Sequence, residues 1–420
     1  MTTTSRLRNS KRRSAFILFV FTLAFAVQPT LFAKKKKQVA ATTAEQPAAP
    51  AQDTSELVWP GPPNIGRVRY IQYFAGQKID LAAAAEPKKK PKQSWMDRLA
   101  GVQPSPTGKL KLMPFQLLGP FGMAVTSEGT LLVADQKVGA VFVFNTETRD
   151  AKLIRNGFEA TFGWINGIAV DDDGRIFVSD GKLRRVLVLN RNWQVIDQIK
   201  GDLVDPNGIA IDTENRFAYV VDTQQDQVLV YDADSLKLLR RLGHTGKLHE
   251  MTGPSDFAAP TAVALDGDGN VYVTDTLNNR VEIFDADGAF ISQFGKHCDG
   301  PGCFAHAKGI AVDSDGHIWV ADPMLDLLQV FSREGQLLAF IGGHGNLLGQ
   351  FSSLVGVTFD PKRNLVFTSE QYPGRVQEFK YITDAEASEI KKDREAQRLK
   401  RGTQQPVTQG KVENHAVRPQ

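Results

Sequence analysis

The chain has 420 residues, and its 50 basic and 47 acidic side chains leave a formal net charge of +3 at pH 7. This near-balance lacks the basic excess that is typical of nucleic-acid-binding proteins, so no nucleic-acid partner is expected. No Cys-x-x-Cys-His motif occurs, so the chain has no attachment site for a covalently bound haem of its own.

The N-terminus has the order of an export signal. Basic side chains precede an apolar run from Ala15 to Val27, and the small residue Ala33 closes the segment. Residues 1–33 are therefore predicted to be a signal peptide, or an uncleaved N-terminal anchor because Leu31 is large for a cleavage site. Either alternative places the rest of the chain outside the cytoplasm, periplasmic or secreted, with membrane contact only through an uncleaved segment. Cleavage would remove five basic residues and change the net charge to −2, since +3 − 5 = −2.

Two segments rich in alanine and proline are predicted to be linkers. Residues 34–56 form a disordered linker after the signal, and residues 77–112 form an insertion before the first repeat. Both contain lysine runs, which are expected to be solvated rather than bound to an anionic membrane. Between the linkers, Val68–Gly76 is predicted to be a β-strand, because it resembles the fourth strands of the repeats that follow.

One sequence pattern occurs six times between Phe121 and Tyr381. Each copy opens with an apolar run, reaches an acid at the end of a second run, and continues into a third. The opening residues are Gly122, Gly167, Gly208, Ala262, Gly309 and Gly356, and the acids are Asp135, Asp180, Asp222, Asp275, Asp322 and Glu370. The openings are spaced by 45, 41, 54, 47 and 47 residues. A period in the forties, built from short alternating strands, indicates the blades of a β-propeller.

The fourth copy shows why each repeat is a blade. Its first two alternating runs flank Asp266–Asn270, whose glycines and aspartates suit a hairpin turn. Two further turns give four antiparallel strands, a sheet too small to bury both of its faces alone. The copies must therefore stack radially, and six can close a ring. Residues 57–382 are predicted to form an all-β, six-bladed propeller of four-stranded antiparallel blades.

The last copy lacks its fourth strand. The missing piece matches Val68–Gly76, which resembles the other fourth strands and ends in the same glycine. We expect this N-terminal strand to pair with the third strand of the last blade around Val376–Phe379, closing the ring and covering an exposed edge. A free-standing hairpin is the alternative.

The six repeated acids have a structural interpretation. Equivalent acids around a ring are a feature of the repeat, so we expect them to cap turn amides or to pair with arginines such as Arg280. They are not predicted to be catalytic.

The two cysteines, Cys298 and Cys303, lie in one loop. In an exported protein such a pair predicts a disulfide. A zinc site with the flanking His297 and His306 is the alternative, although the spacing fits no common zinc motif.

The copies resemble the NHL repeat, and Asp275–Phe284 matches its second turn and third strand closely. The chain as a whole is similar to exported six-bladed NHL proteins of bacteria, which share the segment that begins here at Val58 and continues to Arg69-Tyr70. The resemblance implies a six-bladed propeller and, since some such proteins accompany multihaem cytochromes, a protein partner in the cell envelope, with a cytochrome as the example by analogy.

Candidate binding residues lie where the copies differ. In a propeller the first strand of each blade lines the central channel, so the residue before each opening faces the channel mouth. Here these residues include Asn166, Asn207, Thr261 and Lys308. The longest loop that leads into a blade adds His249, and other loops on this rim carry His297, His306 and His344.

Two functions are compatible with this pattern. The first is a non-enzymatic binding scaffold, without cofactor and monomeric, that engages a macromolecule through its loop-rich face. The second is a metal-assisted hydrolase or lyase, lactonase-like or peptide-amidating-lyase-like, with its metal in the channel. Asn166 and Asn207 would then serve as oxygen ligands, but no clear glutamate accompanies them. The scattered histidines have no ligand spacing, so the scaffold is the expected function.

The C-terminal segment, residues 383–420, is highly charged and prone to form a helix. Its few large apolar residues predict a solvated single helix.

Overall fold

The computed structural model describes residues 54, 57–61, 64–77, 115–157, 160–243 and 253–402. Four predictions fall wholly or almost wholly outside these residues: the signal or anchor over 1–33, the linker over 34–56, the insertion over 77–112, and the binding role of His249. None of the described helices combines the length and the apolar character that crossing a membrane requires.

The described residues form six antiparallel blade sheets and one two-stranded sheet, and the prediction of a six-bladed propeller is confirmed. The chain enters through β1 (Val58–Trp59) and β2 (Val68–Phe74). The strands of each blade are given from the innermost to the outermost. The first blade comprises β3 (Pro120–Val125), β4 (Thr130–Asp135), β5 (Ala140–Asn145) and β6 (Ala151–Ile154), and the second comprises β9 (Ile165–Val170), β10 (Ile176–Asp180), β11 (Arg185–Leu189) and β12 (Val195–Lys200). The third comprises β13 (Pro206–Asp212), β14 (Phe217–Asp222), β15 (Gln227–Asp232) and β16 (Leu238–Leu242). A two-stranded hairpin, β7 (Asn156–Gly157) and β8 (Ala160–Thr161), lies between the first and second blades.

The last three blades follow the same order. The fourth blade comprises β17 (Pro260–Leu265), β18 (Val271–Asp275), β19 (Arg280–Phe284) and β20 (Phe290–Phe294). The fifth comprises β21 (Gly309–Val312), β22 (Ile318–Asp322), β23 (Leu327–Phe331) and β24 (Leu337–Gly342), and the sixth contains β25 (Leu354–Asp360), β26 (Leu365–Glu370) and β27 (Arg375–Tyr381). The described ring closes because β25 contacts β3.

The turn chemistry explains the hairpins of the fourth blade. Asp266 Oδ1 accepts hydrogen bonds from the backbone N–H groups of Asp268 and Asn270, and Gly269 adopts a φ of +82°. Asn279, in the next turn, adopts a φ of +54°. Glycine and asparagine tolerate this left-handed conformation at little cost, so the sequence positions its own turns.

The N-terminal strand completes the sixth blade. Strand β2 pairs antiparallel with β27, with Tyr70 opposite Phe379 and Phe74 opposite Val376. The alternation along β2 buries Val68, Tyr70 and Phe74, while the residues between them lie closer to solvent. Strand β1, which was not predicted, adds a fifth strand outside β2. The first and last strands of the ring therefore share one sheet.

The repeated glycines allow the innermost strands to approach each other. A Cβ atom on Gly208 would lie 2.6 Å from Cα of Ala262, and one on Gly309 would lie 2.8 Å from Cα of Gly356. Real Cβ atoms do not approach neighbouring backbone this closely. The small residue that opens each copy is thus required by the narrow centre of the ring.

The C-terminal helix α1 (Asp384–Gly402) begins directly after the last blade. Ala387 in its first turns is buried, and Arg67 pairs with Asp384. Arg394 donates to the backbone oxygen of Asn64 at 3.3 Å. The helix is therefore fastened to the N-terminal segment by these contacts, while most of its described side chains are exposed, as its sequence predicts.

The structure joins Cys298 to Cys303, with their Cα atoms 5.4 Å apart. Because the closed loop is short, replacing both cysteines by serine is expected to lower the free energy of unfolding by about 2 kcal/mol or less. Urea denaturation of the double variant would measure this loss. Titration of thiols in unreduced, denatured protein provides the control, and two free thiols would contradict the pairing.

Candidate binding site at the channel mouth

The candidate site lies on one face of the ring, here called the upper face. It is formed by the loops between the second and third strands of each blade and by the loops that join consecutive blades. The innermost strands line a central cavity of about 330 Å³. Above it, a second cavity of about 430 Å³, here called the channel mouth, is lined by Phe121, Gln136, Trp164, Asn166, Gly181, Lys182, Asp205, Asn207, Lys308 and Gln371.

Three of the sequence-predicted residues meet at this mouth. Asn166, Asn207 and Lys308 all line it, although they lie in different blades. Thr261 lines the cavity below. The Thr261 hydroxyl lies 2.8 Å from Oγ1 of Thr276 and 3.0 Å from the backbone oxygen of Lys308. It thus connects the fourth and fifth blades.

Asn166 and Asn207 differ in the hydrogen bonds that their side-chain amides make. Asn166 accepts a hydrogen bond from Gln136 Nε2 at 2.6 Å and donates to the backbone oxygen of Pro206 at 3.1 Å. Asn207 donates to Oγ1 of Thr223 at 3.2 Å, but its Oδ1 is buried with no hydrogen-bond donor. Asn207 therefore holds an unused acceptor beside the mouth.

The ammonium of Lys308 is isolated at the mouth. Nζ lies 5.9 Å from the ring centroid of Phe121, and within the described residues it makes no hydrogen bond or ion pair. Burial alone lowers the pKa of Lys308 from its usual 10.5. No carboxylate therefore lies close enough to raise that pKa measurably.

Asp205 is the carboxylate that lines the mouth. Burial raises its pKa, and the charge of the nearby Asp222 raises it further. Its backbone N–H donates to Asp222 Oδ1 at 3.1 Å. Asp205 was not singled out from the sequence, and neither were Gln136, Lys182 and Gln371. Gln136 and Gln371 directly follow repeated acids, so the residue after each acid was the signal that could have identified them.

The repeated acids hold the loops that form the mouth. Asp180 accepts from the backbone N–H groups of Gly163 and Trp164, at 2.6 and 2.9 Å. Asp275 accepts from the backbone N–H of Ala258 at 2.7 Å and from Arg280 Nε at 2.7 Å. All six are fully buried and accept hydrogen bonds from loop amides, and two of them, Asp275 and Glu370, also pair with an arginine, so the prediction that these acids cap turn amides or pair with arginines is confirmed.

Within the described part of the chain, the rim histidines belong to no group of three potential metal ligands. His344 Nδ1 contacts Asp326 at 2.7 Å, and burial lowers the pKa of His306. The one described group of three carboxylates close enough to share an ion is Asp171, Asp172 and Asp173, in a hairpin turn on the opposite face. Arg175 and Arg216 already pair with this group.

The mouth does not fit a divalent cation well. Among the described residues that line the mouth, Asn207 Oδ1 offers one unused oxygen and Asp205 the one carboxylate. Those that line the central cavity include no Asp, Glu, His or Cys side chain. Lys308 places a positive charge at the same mouth, which opposes a cation there. Oxygen-rich sites for such ions normally rely on carboxylates.

Comparison with known proteins supports this architecture. A sequence family described as "SMP-30/Gluconolactonase/LRE-like region" matches residues 102–307, and a family described as "6-bladed beta-propeller" matches residues 263–406. The chain is a six-bladed β-propeller, and its residues 102–307 are similar to the SMP-30/gluconolactonase/LRE-like family. The propeller expected from the NHL resemblance is thereby confirmed, while a bacterial origin and export remain predictions.

Individual relatives are more distant. The chain is 27% identical over 156 residues to a probable peptidyl-alpha-hydroxyglycine alpha-amidating lyase of Caenorhabditis elegans, covering 31% of this chain and 44% of that protein. This propeller thus spans less than half the length of its curated relative. Virginiamycin B lyase from Staphylococcus aureus is 12% identical, with a TM-score of 0.47 over 63% of this chain and 96% of that one. Hydrazine synthase from Kuenenia stuttgartiensis is 16% identical, with a TM-score of 0.47 over 66% of this chain and 99% of that one.

Proposed function

We propose that this propeller is a non-enzymatic binding protein that engages a partner protein through its upper face. The observation that carries the proposal is the distribution of exposed apolar side chains. Seven large ones lie in described upper-face loops: Leu118, Trp164, Leu183, Leu277, Met324, Leu347 and Tyr372. The described hairpin turns of the opposite face contain none, and the other eight lie on outer strands.

Of the two faces formed by loops and turns, only the upper one exposes large apolar side chains among the described residues, as is expected of an interaction surface. Met324 is 71% exposed and Trp164 is 56% exposed, so both leave large apolar areas in water. Exposed apolar side chains that concentrate on one face of a folded protein mark a binding region more often than evenly scattered ones do. Because the buried acids anchor the loops, the surface is held rigidly before a partner arrives, which lowers the entropic cost of binding.

The channel chemistry also favours binding over catalysis. The described residues that line the central cavity are apolar side chains and glycines, joined by Asn166, Thr261, Lys308 and Thr358. They offer no carboxylate or imidazole for general acid–base work. Among the described residues that line the mouth, Asp205 is the one acidic group, and neither a histidine nor a second carboxylate accompanies it.

A second candidate function rests on the family match. The gluconolactonase-like region and the resemblance to an amidating lyase favour a metal-assisted hydrolase or lyase. Asn166 and Asn207 would then supply oxygen ligands. We rank this candidate second because Lys308 opposes a cation at the mouth.

We place the partner in the cell envelope because the N-terminus has the order of an export signal. By analogy with exported NHL proteins, a cytochrome is a partner of this kind. A nucleic-acid partner is not proposed, because the chain has no large excess of basic residues and its exposed upper-face side chains include many apolar ones.

Photo-crosslinking tests the proposal. A crosslinking amino acid at position 324 or 372 should trap the same protein in the native cell envelope, whereas one at position 239 or 291 on the outer strands should not. Binding of that purified partner should weaken at least about tenfold in a Trp164→Ala, Met324→Ser double variant, because buried aromatic and apolar anchors dominate interface energies.

The matched control is Ile291→Ser, which removes a comparable exposed apolar side chain from an outer strand. Its affinity should equal that of the wild type. Equal weakening by Ile291→Ser would contradict an upper-face interface. A stoichiometric divalent metal ion in the purified protein, together with turnover of a lactone or a peptidyl substrate, would favour the second candidate instead.

A further inference from the structure

Lys308 differs from the other buried basic side chains of the ring. Arg280 and Arg375 are almost fully buried, and each is surrounded by carboxylates and backbone oxygens. Arg175 pairs with Asp171 and Asp234. Lys308 is also withdrawn from solvent, but its ammonium has no oxygen partner within the described residues.

An isolated, partly buried ammonium is unfavourable unless something compensates for its lost hydration. The ring of Phe121 contributes a cation–π contact at 5.9 Å, which is a weak compensation. Asp205 lines the same mouth but does not pair with Lys308, since its pKa is affected by burial and by Asp222 alone. The counter-charge for Lys308 is therefore absent from the described fold.

The surroundings suit a carboxylate attached to an apolar group. The side-chain amide of Gln371 lines the mouth and makes no described hydrogen bond, so its N–H groups are available to a second oxygen. Trp164 and Phe121 provide aromatic walls, and the volume of about 430 Å³ accommodates a group larger than a simple ion. The charge of Asp205 opposes any anion at the mouth, but it repels a doubly charged oxyanion such as phosphate more strongly than a singly charged carboxylate.

We propose that the channel mouth binds a carboxylate, with the ammonium of Lys308 as its counter-charge and the amide of Gln371 as its second donor. The carboxylate belongs either to a small organic acid or to the C-terminus of a protein chain. This site goes beyond partner binding by the upper face, because a small acid needs only the mouth and none of the outer loops.

Titration calorimetry on the full chain tests the proposal with two pairs of probes. Benzoate is compared with benzamide, and the peptide Gly-Gly-Phe with a free C-terminus is compared with its C-terminal amide. Each acid should bind more tightly than its neutral counterpart if it reaches the site. Binding of benzoate identifies small acids as the source, and binding of the free peptide alone identifies a chain terminus. Phosphate should bind more weakly than either acid.

Lys308→Met should weaken binding of the acid at least about tenfold, equivalent to about 1.4 kcal/mol. Lys308→Arg, which keeps the positive charge and can donate to a carboxylate, should retain most of the affinity. Lys237→Met, in an exposed hairpin turn of the opposite face, is the matched control and should bind like the wild type.

A second readout separates this role from a structural one. Because Lys308 is an unpaired, partly buried charge, the Lys308→Met variant should unfold at a higher temperature than the wild type although its affinity for the carboxylic acid is lower. Equal affinity for acids and neutral amides, or unchanged affinity in Lys308→Met, would overturn the proposal. Loss of partner crosslinking at position 324 would leave these binding results unaffected, so the two proposals fail separately.

Discussion

A chain that lacks residues 1–76 is expected to lose its cooperative folded state and to aggregate. The deletion removes β2, which supplies the fourth strand of the last blade and pairs with β27. Val68, Tyr70 and Phe74 are each at least 96% buried. Their burial is worth about 5–9 kcal/mol together, at about 1.5–3 kcal/mol for each side chain. The free energy of unfolding of a typical domain is only about 5–15 kcal/mol, so this loss is comparable to the total stability of a domain.

Loss of β2 also exposes the backbone donors and acceptors of β27, and an unpaired edge of this kind templates association with other chains. Circular dichroism on heating and light scattering would measure both effects. The matched control lacks residues 1–56 and keeps β1 and β2, so it should unfold cooperatively like the full chain. A synthetic peptide of residues 57–77 should restore cooperative unfolding to the shorter chain. A cooperative, monomeric chain without residues 1–76 would show that the N-terminal strand does not hold the ring.

Arg280→Leu is expected to lower the free energy of unfolding by about 3–5 kcal/mol, because it leaves buried carboxylates unpaired. Arg280 Nε donates to Asp275 at 2.7 Å, and its Nη2 lies 2.8 Å from Glu282. The same guanidinium donates to the backbone oxygens of Gly253 and Asp256, at 2.9 and 2.8 Å. The substitution thus removes the positive charge and the donors from a buried cluster at once.

The loss should depend on pH. Burial raises the pKa of Glu282 from 4.5 to about 7, although Arg280 acts to lower it. A carboxyl group with a raised pKa in the folded state contributes stability below its unfolded pKa, and this contribution is lost as the pH rises through the folded value. Without Arg280 the folded pKa rises further. The difference in stability between wild type and variant should therefore grow from pH 5 to pH 8.

Urea denaturation at pH 5 and pH 8 would measure this difference. The matched control is Arg333→Leu on the neighbouring blade, whose half-exposed side chain pairs with Asp268 at 3.0 Å. Surface pairs of this kind contribute about 0–1 kcal/mol, so the control should change little at either pH. A loss in Arg280→Leu no larger than in Arg333→Leu would show that the buried cluster tolerates the missing charge.

Positions that repeat in every blade have structural roles, whereas positions that differ between blades form the candidate binding site. Positions that repeat in every blade, such as the small opening residues and the terminal acids, serve the close approach of strands and the anchoring of loops. Positions that differ between blades, such as Asn207 and Lys308, line the mouth. Binding specificity in this fold can therefore change without altering the contacts that hold the ring together.

The fold was predictable from the sequence because its signals are local. Alternating apolar runs, glycines and asparagines at turns, and an acid after each second strand recur within each copy, so a single blade can be derived from about one repeat. The role of Val68–Gly76 followed from the same pattern, because the last copy lacked one strand and this segment matched it. The sequence also pointed to Asn166, Asn207 and Lys308, since each precedes the opening of a copy.

The tertiary structure alone decided which residues share the mouth and how each is charged. Trp164, Asp205 and Gln371 come from distant parts of the chain and meet only because the ring closes. The isolation of Lys308, the raised pKa of Glu282 and the packing of α1 against Asn64 depend on burial and on neighbours from other blades. Burial and electrostatic interaction are properties of the assembled ring, and a repeat taken by itself contains neither.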